Sequence, residues 1–138
     1  MRFDRSLQDA WRLTDGLWWT EFPEGWLQGR SIFGGLTAAV GIALARRQVD
    51  RDRKLRTLQV QLLRPTRPGA VEGRVRVVRE GKSTAFVEVR LLQEGEETAS
   101  MQVVFVRPRS TSLSIPAARA PQMPGPDGLD DLPFLPGV

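Results

Sequence analysis

The sequence predicts an α+β fold in which an antiparallel sheet wraps around one central helix. Three observations carry this. One stretch, Gly34 to about Val49, has helical spacing and is apolar around nearly all of its circumference, so other structure should cover it. After it, four segments alternate apolar and polar residues and are parted by short turn signals. Before it, an aromatic-rich segment reads as extended chain that completes the sheet.

From the N-terminus, "GLWWTEF" and "GWLQGRSIF" read as two short extended segments on either side of a turn at Pro23 to Gly25. Trp11, Trp18, Trp19 and Trp26 all fall in this third of the chain and predict a core or interface cluster, because large aromatics bury much area each. In the helix, Leu36, Val40 and Ala43 to Leu44 recur on one face, and "ARRQVDRDRK" closes it in charge. The strand segments are Leu55 to Pro65, Ala70 to Glu80, Thr84 to Gln93 and Thr98 to Pro108. Alternation is clearest in Val71, Gly73, Val75 and Val77 against Glu72, Arg74 and Arg76, and again in Val87, Val89 and Leu91 against Glu88 and Arg90. The links "TRPG", "GKS" and "EGEE" are short, so the four strands are expected to form an antiparallel meander. Residues 1–107 read as a single domain. Residues 108–138, with seven of the ten prolines, read as a tail.

A helix apolar all round inside one curved sheet is the hotdog architecture. Its open sheet leaves an edge to be covered, so a homo-oligomer, a dimer or higher, is expected.

Composition narrows the chemistry. The chain has no cysteine and no histidine, which removes disulfides, cysteine-ligated zinc, thiol nucleophiles and serine–histidine–aspartate triads. No metal or cofactor is expected, and acid–base work must fall to Asp, Glu, Lys, water or the backbone. The formal charge of +4 is carried mostly by arginine, with Lys54 and Lys82 the only lysines. Arginine suits anions such as phosphates or an acidic carrier protein. Nucleic acid is not expected as a partner, since the arginines alternate along strands and do not cluster with exposed aromatics. The apolar run Ile32 to Ala45 is too short to span a bilayer, and "MRFDRSLQDAW" lacks the apolar core of a signal peptide, so the expectation is a cytoplasmic protein away from membranes.

The start of the helix poses the sharpest question. Gly34 and Gly35 stand where Ser, Thr, Asp or Asn would cap better, and the helix carries no carboxylate. Small residues Ala38, Ala39 and Gly41 leave room along it for a ligand or for the sheet.

Four pieces, taken together, resemble the N-terminal hotdog half of the double-hotdog acyl-CoA thioesterases: "FGGLTAAVGIAL" (Phe33 to Leu44), "LQVQLLRPTRPG" (Leu58 to Gly69), "VVREGKSTAFVEVRLLQEG" (Val77 to Gly95) and "TASMQVVFV" (Thr98 to Val106). The resemblance covers roughly Trp11 to Arg107. It implies that the helix N-terminus faces a thioester carbonyl and that the Gly34 and Gly35 amides form an oxyanion hole, with glycine chosen so that substrate can approach. It implies acyl-CoA or a carrier-bound acyl thioester as substrate. Phe33 is a further candidate for substrate contact, and Thr37, in the first helical turn, could reach a ligand or bond its hydroxyl back to its own helix. The resemblance further implies a water held by an Asp on the helix with Thr or Ser and Gln from nearby strands. Here that Asp is missing, its position falling near Gly35 or Leu36, and Gln102 is the residue that matches the water-positioning glutamine. Gln59 and Gln61 share one strand face and could bond substrate amides or line a subunit interface.

Three functions fit. A thioesterase would hydrolyse acyl thioesters with Gln102 orienting water and Asp15, Glu21 or Glu24 supplying a carboxylate. A non-catalytic hotdog would bind an acyl ligand. A half-enzyme would need a separate catalytic hotdog, a reading that the proline-rich, acidic tail resembling a double-hotdog linker supports.

Overall fold

Alternating side chains make each strand two-faced, and the fold puts the apolar faces together beneath the helix. The computed structural model describes residues 11–123, 125 and 127. The chain divides into two units, Met1–Pro108 and Arg109–Val138.

The first unit opens on a hairpin of β1 (Arg12–Thr14) and β2 (Leu17–Phe22). Its turn is Asp15–Gly16, both with positive φ (51° and 80°), the left-handed values that a two-residue type I′ turn requires. A 3-10 turn at Glu24–Trp26 leads to the small hairpin of β3 (Leu27–Gln28) and β4 (Ser31–Ile32), then to helix α1 (Gly34–Arg46). The strands β5 (Lys54–Leu62), β6 (Gly69–Glu80), β7 (Thr84–Gln93) and β8 (Glu96–Val106) follow. The main sheet has six strands in the order β1-β2-β6-β7-β8-β5, antiparallel throughout.

This order corrects the expected four-strand meander. β6, β7 and β8 are sequential neighbours, but β5 pairs with β8 at the far edge. "TRPG" is therefore a crossover and no hairpin. Pro65 and Pro68 have no N–H to donate to a ladder, and the connecting backbone bonds elsewhere: Leu63 and Arg64 donate to the Thr98 carbonyl at 2.9 and 3.2 Å, and the Thr66 carbonyl accepts from Ile32 N–H at 2.8 Å. The crossover thus runs past the start of α1.

The helix buries Leu36, Thr37, Val40, Gly41, Leu44 and Ala45. Beneath them lie the inward residues of the sheet, Val87, Val89 and Leu91 of β7 with Met101, Val103 and Phe105 of β8. Packing is close: a β-carbon on Gly41 would sit 2.2 Å from Met101 Sδ. Trp11 joins this core and its Nε1 donates to the Val40 carbonyl at 2.9 Å, while Trp18 and Trp26 pack at its margin and Trp19 is exposed. Within the chain the helix is not covered all round, for Ala38, Ala39, Ile42 and Ala43 stay half-buried.

α1 also stops at Arg46, short of the expected Val49. Its last turn tightens, with Arg47 and Gln48 N–H bonding three residues back, and the Arg46 guanidinium takes the carbonyls of Asp50 and Arg53 at 2.9 and 2.7 Å, which bends the chain toward β5. Among the described residues no helix is long and apolar enough to cross a membrane. In the second unit the described residues form neither helix nor strand.

The helix N-terminus as candidate site

Phe33, extended at φ −48° and ψ 123°, precedes α1, and no side chain caps the helix. Its carbonyl accepts from Leu36 N–H at 2.9 Å and Thr37 N–H at 3.2 Å. The N–H groups of Gly34 and Gly35 are left without a partner among the described residues. An uncapped N-terminus exposes just such donors, and the aligned dipoles of a 13-residue helix add positive potential there, undiminished by any acid in the first turn.

The backbone around these amides is pinned. Phe33 N–H donates to the Trp26 carbonyl at 2.8 Å, and the Ser31 hydroxyl accepts from Thr66 N–H at 3.1 Å, tying β4 to the crossover. Side chains supply two apolar walls. A β-carbon on Gly35 would fall 2.4 Å from Phe33 Cε1, and one on Gly34 would fall 3.0 Å from Leu62 Cδ1. The Phe33 ring therefore lies over Gly35, and Leu62 lies beside Gly34. Both side chains are solvent-exposed, at 43% and 60%, and Leu27 and Leu63 add exposed apolar surface at the same end. Thr37 sits one step inside, buried in the first helical turn.

The structure brings Phe33, Gly34, Gly35 and Thr37 together. The three glutamines it places elsewhere. Gln102 is exposed between buried Met101 and Val103, and since α1 packs on the Met101 side, Gln102 points off the opposite, outer face. In register across that outer face stand Gln59, Gln102, Glu88 and Arg76, and in the next row Gln61, Ser100, Arg90 and Arg74. Gln102 therefore does not share a surface with the Gly34 and Gly35 amides of its own chain. The alternation legible in the sequence already put Gln102 opposite Met101. What it lacked was which face the helix covers.

Of the candidate carboxylates, Asp15 lies in the β1–β2 turn and Glu21 on the exposed side of β2. Glu24, two residues before the Trp26 carbonyl that anchors Phe33, belongs to the segment leading to the helix. On the outer face Glu88 is held below the usual carboxylate range by hydrogen bonds from Arg76 and then Arg90, so it stays ionised.

Residues 22–106 match the family model of the acyl-CoA thioesterase N-terminal domain. No curated protein matches the chain. Among solved structures, a hotdog-fold protein of unknown function from Alicyclobacillus acidocaldarius is similar at 25% identity and TM-score 0.76, over 92% of this chain and 47% of that one. An acyl-CoA thioesterase II from Mycobacterium marinum is similar at 25% identity and TM-score 0.71, over 91% of this chain and 46% of that one. A Bacillus halodurans protein solved with CoA is similar at 18% identity and TM-score 0.57, over 65% of each chain. The chain spans about half the length of the first two.

Proposed function

Because the chain belongs to the acyl-CoA thioesterase N-terminal domain family, we propose that it binds an acyl thioester at the start of α1 and hydrolyses it with water. The observation that carries this reading is the pair of unpartnered N–H groups on Gly34 and Gly35 at an exposed helix start. In the reading, the thioester carbonyl oxygen accepts from these amides. Water adds to the carbonyl carbon, negative charge grows on that oxygen, and the fixed donors and helix dipole stabilise it before the thiolate leaves. Phe33 and Leu62 offer apolar contact to the acyl chain beside the carbonyl, and Thr37 lies in the same turn. The substrate is an acyl-CoA or a carrier-bound acyl thioester.

No carboxylate stands on α1, and general base catalysis is commonly worth about 10²- to 10⁴-fold. Gln102, facing the outer surface, orients no water at its own chain's helix. A second reading rests on these two facts and on the match to only about half the length of the similar solved chains: the chain is a half-enzyme, or an acyl-ligand binder, and hydrolysis waits on a hotdog that brings the acid. In either reading a second copy or partner covers the free edge of β5, a nine-residue strand bonded on one side only.

Release of free thiol from short- to long-chain acyl-CoAs tests the proposal, and the cysteine-free chain adds no background. Turnover that falls in Gly35→Ala supports hydrolysis at the helix start. Binding without turnover, with turnover appearing when a catalytic hotdog is added, supports the half-enzyme. Neither binding nor turnover across the panel rejects both.

A further inference from the structure

We propose that a groove on the outer sheet face, beside the β6–β7 hairpin, binds a nucleoside phosphate. Two pockets meet there, of about 540 and about 360 Å³, and Arg79 and Phe86 line both. Each lies in the size range of small-molecule sites, roughly 300–1,000 Å³. The groove lies where β6 carries a bulge: the register slips between Val77 and Arg79, and the extra residue Val78, which lines the groove, is left exposed. A bulge bends its strand and re-aims neighbouring side chains, here next to Phe86 and Val104, which pair across β7 and β8.

Charge on this face is uneven. At the far end of the groove Arg76 and Glu88, which both line it, are paired with each other, and Glu88 also takes Arg90; beyond the groove Arg74 is paired with Glu72. At the hairpin end Arg79 and Lys82 have no ionic partner among the described residues, and Glu80, the adjacent acid, is engaged by buried Arg53 at 2.9 Å. Two unpaired cations thus flank an exposed phenyl ring, with Phe86 43% accessible. Cations of this kind take phosphate oxygens, and a ring with a free face takes a nucleobase by stacking.

The hairpin is also held still from behind. The carbonyls of Gly81, Lys82 and Ser83 accept, in turn, from Arg53 Nη2 at 2.9 Å, Arg107 Nη1 at 3.1 Å and Arg107 N–H at 2.8 Å. Arg107 is itself ion-paired to Asp50 at 2.6 Å and Asp52 at 2.8 Å. With three successive carbonyls drawn toward these arginines, the tip that carries Lys82 needs little further ordering when an anion arrives.

This site goes beyond the thioester reading. It lies by the loop after α1, on the face away from the helix, so it stands or falls without Gly34 and Gly35. The same chemistry could be presented by a free nucleotide or by the nucleotide end of CoA.

The test titrates the isotope-labelled full chain with ADP, CoA, ribose 5-phosphate and inorganic phosphate, following amide resonances and heats of binding. ADP is expected to shift the amides of Arg79 to Phe86 and leave those of Gly34 to Thr37 in place. Replacing both cations, Arg79→Gln with Lys82→Gln, should weaken ADP at least about tenfold, or roughly 1.4 kcal/mol. Phe86→Leu should weaken ADP and leave ribose 5-phosphate unchanged. CoA binding more tightly than ADP through the same amides identifies the CoA nucleotide as the source; equal or weaker binding identifies a free nucleotide. ADP binding that moves other amides, that survives the double substitution in a variant melting like wild type, or that is absent at millimolar concentration overturns the site. So does inorganic phosphate binding as tightly as ADP.

Discussion

Phe33 lays its ring over Gly35, so closely that a β-carbon there would stand 2.4 Å from Phe33 Cε1. Gly35 is thus required twice: it leaves its amide open, and it makes room for the ring of the residue two places before it. Gly35→Ala must push the exposed Phe33 ring aside. Alanine in a helix gains about 0.5–1 kcal/mol over glycine, which offsets that displacement, so the melting temperature should move by only a few degrees. Thioester turnover, or acyl-CoA affinity if the chain binds without turnover, should fall at least about tenfold. Adding Phe33→Ala should relieve the crowding and not restore the loss.

Gly41 has a different reason to be glycine. Its neighbour Met101 is buried, with Sδ 2.2 Å from the place of a β-carbon. Gly41→Ala overpacks the contact between α1 and β8 and should cost about 1–3 kcal/mol in denaturant unfolding. In a double-mutant cycle Met101→Ala should cost less on the Gly41→Ala background than on wild type, because the shortened side chain gives the new methyl its space.

Trp11 Nε1 donates to the Val40 carbonyl, which in a regular helix also accepts from Leu44 N–H. Trp11→Phe removes one donor without orphaning the acceptor. Its cost should lie near the low end for a lost buried hydrogen bond, about 0.5–1 kcal/mol, plus a small packing loss. Trp11→Ala, which empties core volume between Leu44 and Gly73, should cost about 3–5 kcal/mol.

Glu88 links electrostatics to acid stability. Its folded pKa lies below the ordinary value of 4.5, through hydrogen bonds from Arg76 and Arg90, so the unfolded chain binds the proton more readily. The stabilisation is present above that ordinary value and is lost as pH falls through the lower folded one. Glu88→Gln should therefore lower the urea midpoint at pH 7 and change it little near pH 2. A variant difference that persists undiminished in acid would contradict this.

Periodicity made the first layer of this molecule legible. The helix, the long strands and the inward set Val87, Val89 and Leu91 all follow from spacing alone, since one face of each element must be dry. The place of β5 did not follow. Its pairing with β8 depends on a crossover whose bonds run to Thr98 and Ile32, contacts far away in sequence. The β1–β2 hairpin was not among the expected elements, although "TDG" carries a local signal for its Asp15–Gly16 turn. At the site, Gly34 and Gly35 stood out because poor capping residues open a helix. Gln102 shows the limit of strand alternation, which separates two faces without saying which one the helix covers.

In the proposed function the Gly34 and Gly35 amides receive a thioester carbonyl. The most direct test is a titration of the isotope-labelled chain with a ketone analogue of acyl-CoA, in which a methylene replaces sulfur so that the carbonyl remains and cannot be hydrolysed. At saturation the Gly34 and Gly35 amide protons are expected to shift downfield, by more than at any other backbone position of α1. Saturable binding that leaves those two protons unmoved would contradict that role.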